Sequence, residues 1–188
     1  MWKKDGEKLE KKVLDIVWHW LKLIVVCSIF AVIVQAFILI PVEVSGKSMS
    51  PTLKENDFIV MENFSQIDRF DIIVFTSPDG NTYIKRVIGL PGDHVKYEKD
   101  QLYINNEKVE EPFLKDIKKH KNEYVFTTDL NSEDILGTKK IPKNQYFVLG
   151  DNRRLSKDSR SFGTISETSV LGKARVVYYP IFHSKIVK

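Results

Sequence analysis

The sequence predicts a mainly β domain, a coiled sheet or barrel, behind one N-terminal transmembrane helix. The first observation is Leu23–Ile40, eighteen residues without a charge. At ~1.5 Å per residue a helix of that length spans about the hydrocarbon thickness of a bilayer. It is apolar all round, unlike a core helix with a polar face. The second observation is the change of pattern past residue 41. Short β-branched and aromatic runs such as Phe58-Ile59-Val60-Met61, Ile72-Ile73-Val74-Phe75 and Tyr146-Phe147-Val148-Leu149 alternate with turn signals such as Pro78-Asp79-Gly80 and Pro91-Gly92-Asp93.

Taken in order, residues 1–22 form a basic segment, 23–40 the anchor and 41–188 the far-side domain. The basic segment holds six of the chain's 29 lysines and arginines and four of its 25 acids. That cluster predicts a cytoplasmic N-terminus and an extracytoplasmic domain. Trp18 and Trp20 stand at the interface, and Lys22 can snorkel to the headgroups. Pro41-Val42-Glu43-Val44 lacks the small-x-small pattern of a cleavable signal, so the anchor reads as retained. A more variable region is inserted at about 93–140, with its most polar stretch at Lys115–Lys143. Ile141-Pro142 marks the return to the core.

Composition narrows the function. Outside the basic segment the charges nearly balance, which argues against nucleic acid as a partner. The single cysteine, Cys27, lies in the anchor, so disulfides and thiolate metal sites are excluded by count. His19, His94, His120 and His183 show no triad or metal-ligand spacing, and read as isolated surface or interface residues. No metal or cofactor is expected.

Three polar, glycine-bearing segments remain: Ser45-Gly46-Lys47-Ser48-Met49-Ser50-Pro51-Thr52, Lys85-Arg86-Val87-Ile88-Gly89-Leu90-Pro91-Gly92-Asp93, and Gly150-Asp151-Asn152-Arg153 through Ser156-Lys157-Asp158-Ser159-Arg160-Ser161-Phe162-Gly163. With Arg69-Phe70-Asp71-Ile72 between the first two, the chain resembles type I signal peptidases, particularly the small single-anchor enzymes of Gram-positive bacteria. The resemblance runs from the anchor to about Gly172 and is weakest over 115–140.

That resemblance implies a Ser–Lys dyad, with Ser48 as nucleophile and Lys85 as general base. It implies that Ser156 orients the lysine amine and that Asp158 and Arg160 form an ion pair holding the loop. Arg86 and Asp151 belong to the same scaffold. The Ser48 backbone N–H supplies the oxyanion hole. Gly46 stands where some relatives carry a second, hydroxyl donor, and Ser45 is the candidate substitute. Met49 and Phe58 are read as lining the site or contacting lipid, with core packing the plain alternative for Met49. Arg153, Arg154 and Lys157 read as surface charges.

The implied partners are secretory preproteins with small residues at −1 and −3, the bilayer, and a nearby export translocon. The physical demand is independent of the resemblance. A solvated lysine has a pKa of ~10.4, so Lys85 must be desolvated to act as a base near neutrality. Neighbours on a strand alternate, so Arg86 must face the other way. Two other readings compete: a Ser–Lys self-cleaving relative, disfavoured by the anchor, and a dead membrane-tethered binding module, disfavoured by the intact Ser48, Lys85 and Ser156.

Overall fold

The computed structural model describes residues 2–37, 40–119 and 125–187. Two compact units divide the chain at residue 40. The first is a single helix, α1 (Trp2–Phe37). Its apolar window among the described residues is Leu14–Ala31, wholly exposed and long enough to cross a membrane. That window begins nine residues before the expected Leu23. It takes in Asp15, at its very start, and Lys22, whose long stem lets the charge reach the interface. Of the expected anchor's last three residues, 38 and 39 lie outside the described residues, and Ile40 begins a strand instead. Lys22 Nζ stands 5.4 Å from the Trp18 ring centroid, a pairing suited to a headgroup boundary.

The second unit is mainly β. In chain order its strands are β1 (Ile40–Glu43), β2 (Phe58–Glu62), β3 (Ile72–Thr76), β4 (Thr82–Gly89), β5 (Val95–Glu98), β6 (Gln101–Ile104), β7 (Glu107–Val109), β8 (Leu130–Asn131), β9 (Gln145–Leu149), β10 (Ile165–Ser166), β11 (Val170–Tyr179) and β12 (Lys185–Ile186). One eight-stranded sheet runs β1-β2-β11-β3-β4-β9-β10, with β12 on β11; a smaller sheet runs β7-β6-β5-β8. Register shifts interrupt β11 against β2 and β3, and β4 against β9. Bulges of this kind add twist and coil a sheet.

The small sheet is the inserted region. Its strands run from Val95 to Asn131, between β4 and β9 and within the expected 93–140. The two sheets share one core: Ile88, Phe147 and Leu149 of the large sheet pack with Val95, Tyr97, Leu102 and Ile104 of the small one. Each such side chain contributes about 1.5–3 kcal/mol on burial, so the insert is firmly joined to the large sheet. The polar stretch within it is partly ordered by local chemistry. Asn131 caps helix α3 (Ser132–Leu136; α2 is Lys115–Lys119) by accepting from the Glu133 N–H, and Gly137 ends it at φ +68°. Ile141 then returns to the shared core.

Strand β4 is the element that matters most for the site. Val87 enters one core and Ile88 the other, as alternation requires. The same alternation sends Lys85 and Arg86 to opposite sides.

Candidate active site

Ser48 lies in the turn after β1. Val44 N–H donates to Asp57 O at 2.8 Å and Asn56 N–H returns to Val44 O at 3.0 Å, which pins the turn's base. Gly46 adopts φ +80°, a conformation that side-chain-bearing residues rarely take. From the other side the loop after β9 grips the turn: Asn152 N–H donates to Ser48 O at 2.9 Å and Asn152 Nδ2 to Lys47 O at 3.1 Å. The Ser48 N–H has no acceptor among the described residues. Met49 beside it is buried, yet it also lines the groove that runs past Ser48.

Lys85 comes from β4, 37 residues on in sequence, and its Nζ is 2.9 Å from Ser48 Oγ. The residue is 2% exposed. Its amine also donates to Ile84 O at 3.0 Å and sits 5.0 Å from the Tyr83 ring centroid. Burial lowers its pKa from 10.5 to about 8, against the opposing pull of the Asp158 carboxylate.

Arg86 points the other way and is fully buried. It pairs with Asp151 through two bonds of 2.8 and 2.6 Å, donates to Phe70 O at 2.7 Å, and lies 3.9 Å from the Phe113 ring centroid. Asp158 accepts two bonds of 2.8 Å from Arg160, caps helix α4 (Ser159–Phe162), and takes the Gly150 N–H at 3.0 Å. One carboxylate thus holds both ends of the loop.

Ser156 is placed differently from its expected role. Its Oγ is buried but has no hydrogen-bond partner among the described residues. The bonds of the Lys85 amine go to Ser48 and Ile84 instead. Ser156 packs against Gly150, where an added Cβ would collide with its Oγ. Arg153, expected as a surface charge, is 2% exposed. An irregular loop has no periodicity from which to read its burial. Lys157 is exposed, its ammonium 3.0 Å from Asp79, whose carboxyl it holds well below the usual range. Phe58 packs on Tyr178 and Tyr179 and does not line the groove. His94 and His183 are not isolated: they bond Asn131 and Asp57 at 2.8 and 2.9 Å. His120 lies outside the described residues.

The groove has a volume of about 520 Å³ and is lined by Val42–Met49 on one side and Thr82–Lys85 on the other. Leu155 and Lys157 complete it, and Ser45 lies exposed on its wall. Tyr83, not singled out from the sequence, lines it too. Its position two residues before Lys85 on one strand face was the available signal. Strand β4 pairs with β3 from Thr82 onward but with β9 only from Arg86. The second edge of Thr82–Ile84 therefore has no strand neighbour among the described residues.

This geometry can do one thing well: it presents a hydroxyl beside an easily neutralised amine, next to an open strand edge. Comparison with known proteins agrees. The family profile for signal peptidase, peptidase S26, matches residues 17–179. The chain belongs to the signal peptidase family. Signal peptidase I V of Bacillus subtilis is 45% identical over 157 residues, covering 81% of this chain and 94% of that protein. Signal peptidase IB of Staphylococcus aureus (strain COL) is 36% identical over 185 residues, covering 94% of this chain and 95% of the relative. The crystal structure of a signal peptidase I from Enterococcus faecalis V583 matches at 43% identity and a TM-score of 0.55, covering 59% of this chain and 98% of that one. Members of this peptidase family are serine endopeptidases, and the chain is a protease of that kind.

Proposed function

We propose that this signal peptidase removes N-terminal signal peptides from secretory preproteins at the outer face of the cytoplasmic membrane, with Ser48 as nucleophile and Lys85 as general base. The observation that carries the reading is the buried Lys85 amine, 2.9 Å from the Ser48 hydroxyl. With a pKa of about 8, about one amine in ten is neutral at pH 7, against fewer than one in a thousand for a solvated lysine. Burial therefore raises the share of active base by more than two orders of magnitude.

In the first step Ser48 Oγ attacks the carbonyl carbon of the scissile peptide while its proton passes to Lys85 Nζ. The oxyanion that forms is stabilised by the Ser48 N–H, which has no acceptor among the described residues. Gly46 offers no side-chain donor, and Ser45 is the candidate for a second one. The ammonium then protonates the leaving amine, and the mature protein departs. Neutral Lys85 next takes a proton from water, which attacks the acyl-enzyme and releases the signal peptide.

The substrate adds as an extended strand along the free edge of Thr82–Ile84, with small residues at −1 and −3 fitting beneath it. The nucleophile stands eight residues beyond Ile40 in sequence, so a preprotein leaving the translocon meets it with its own apolar segment still embedded. The lysine-rich N-terminus keeps α1 oriented with that end in the cytoplasm.

Processing of a purified preprotein by the full chain in detergent tests this. Ser48→Ala and Lys85→Ala each abolish cleavage while thermal unfolding stays cooperative. A Ser48→Ala protein that still cleaves ends the assignment.

A further inference from the structure

Arg153 has no part in that proton transfer, yet it is among the largest fully buried side chains. A buried guanidinium needs charge and hydrogen bonds to replace its hydration. Neighbouring Asp151 does not require it, being matched already by the two bonds from Arg86. The partners of Arg153 come from two places. Nε donates to Gly150 O at 3.0 Å, on the loop after β9. Nη1 donates to the Tyr97 hydroxyl of β5 at 2.7 Å and to Thr127 Oγ1 at 3.3 Å. Nη2 forms an ion pair with Glu111, just beyond β7. The Tyr97 hydroxyl itself donates to Glu111 Oε1 at 2.6 Å, and Lys118 Nζ approaches Oε2 to 3.5 Å.

The loop end of this network lies against the nucleophile. At Gly150 a Cβ would come 2.5 Å from Ser48 O, and Asn152 N–H bonds that same oxygen. Where Gly150–Asn152 sits, the Ser48 backbone must follow. We propose that Arg153, Tyr97 and Glu111 are positioning residues for the nucleophile: through one guanidinium, the inserted sheet fixes the turn on which Ser48 rests. This deepens the Ser48–Lys85 reading and rests on it. The network bonds Gly150 and not Lys85, so its loss misplaces Oγ without changing the titration of the amine.

Tyr97→Phe tests the idea by removing one hydroxyl from the full chain in detergent. The expected result is a three- to tenfold lower kcat on a preprotein, KM within twofold, and an unshifted acid limb of the pH–rate profile. Amide exchange over residues 47–50 accelerates, whether or not cleavage is followed. The double variant Arg153→Met with Glu111→Leu removes both charges together, a change that buried pairs often tolerate. It keeps its thermal midpoint within a few degrees and loses at least tenfold in kcat. Parental kcat and parental exchange at 47–50 in Tyr97→Phe overturn the proposal. Residual cleavage by Ser48→Ala sinks the catalytic reading instead, and the exchange measurement still decides whether the network holds the turn.

Discussion

Lys85, the proposed base, is held in a place that disfavours its charged form. Its pKa of about 8 in the native state lies below the 10.5 of a free lysine, so between those values the unfolded chain binds the extra proton. Stability therefore rises as pH climbs from about 8 to about 10.5, and the buried ammonium costs about 3 kcal/mol below that window. Two outcomes are expected. The cleavage rate falls tenfold per pH unit below about 8, readable from initial rates. Lys85→Met, inactive, unfolds at a higher temperature than the parent at pH 7, readable by calorimetry. Gly150 makes the opposite kind of demand. A Cβ there meets backbone at Ser48 O, and backbone cannot rotate away. Gly150→Ala should cost about 1–3 kcal/mol in stability and at least a hundredfold in activity, measured by denaturant melts and preprotein processing. Ser48 and Lys85 were legible as residues because short boxes carried them. Arg153 was not, because its burial is decided by Glu111 and Tyr97, 42 and 56 positions away. Nor did the sequence disclose that the Lys85 amine bonds Ile84 O while the Ser156 hydroxyl has no partner among the described residues; only packing around Gly150 decides that.

At the level of elements, β4 does three jobs. Alternation delivers Lys85 to the groove and sends Arg86 to Asp151, and its late pairing with β9 leaves the Thr82–Ile84 edge without a strand neighbour among the described residues. The run of β-branched residues made β4 visible in sequence. That half of it would lack a neighbour was invisible, because β9 meets β4 only from Arg86 after the insert intervenes. The insert itself was visible mainly as a polar stretch, while its strands resembled any others and gave no sign of forming a second sheet. An open edge makes a prediction about substrate backbone. Strand addition depends on main-chain N–H groups, so a peptide substrate N-methylated at the residue facing Ile84 should bind at least tenfold more weakly. The same methyl placed outside the groove should leave KM unchanged, and steady-state kinetics on the two peptides separates these cases.

For the whole molecule, the question is how a soluble-looking domain works at a membrane. The anchor's chain enters the large sheet through β1, and β1, β2, β11 and β12 succeed one another laterally. The turn between β11 and β12 carries Ile181, 81% exposed, and Phe182, 92% exposed, with Ile186 close behind in β12. Single exposed apolar side chains are ordinary, but several together on one turn mark a surface that meets something apolar. His183 holds the turn in place through its 2.9 Å contact with the buried Asp57, which also caps the Lys54 N–H near the nucleophile's turn. The physical consequence is a fixed apolar ridge on the unit that also carries the groove, suited to dipping into headgroups. Phe182→Asp should therefore leave cleavage of a short soluble peptide unchanged. On a preprotein embedded in vesicles with the full chain, it should slow processing about three- to tenfold, because placing a charge where lipid contact is expected costs about 2–3 kcal/mol at depth and less near the interface. Equal losses on both substrates would instead show that Phe182 serves the fold, and parental rates on both would show that the ridge never meets lipid.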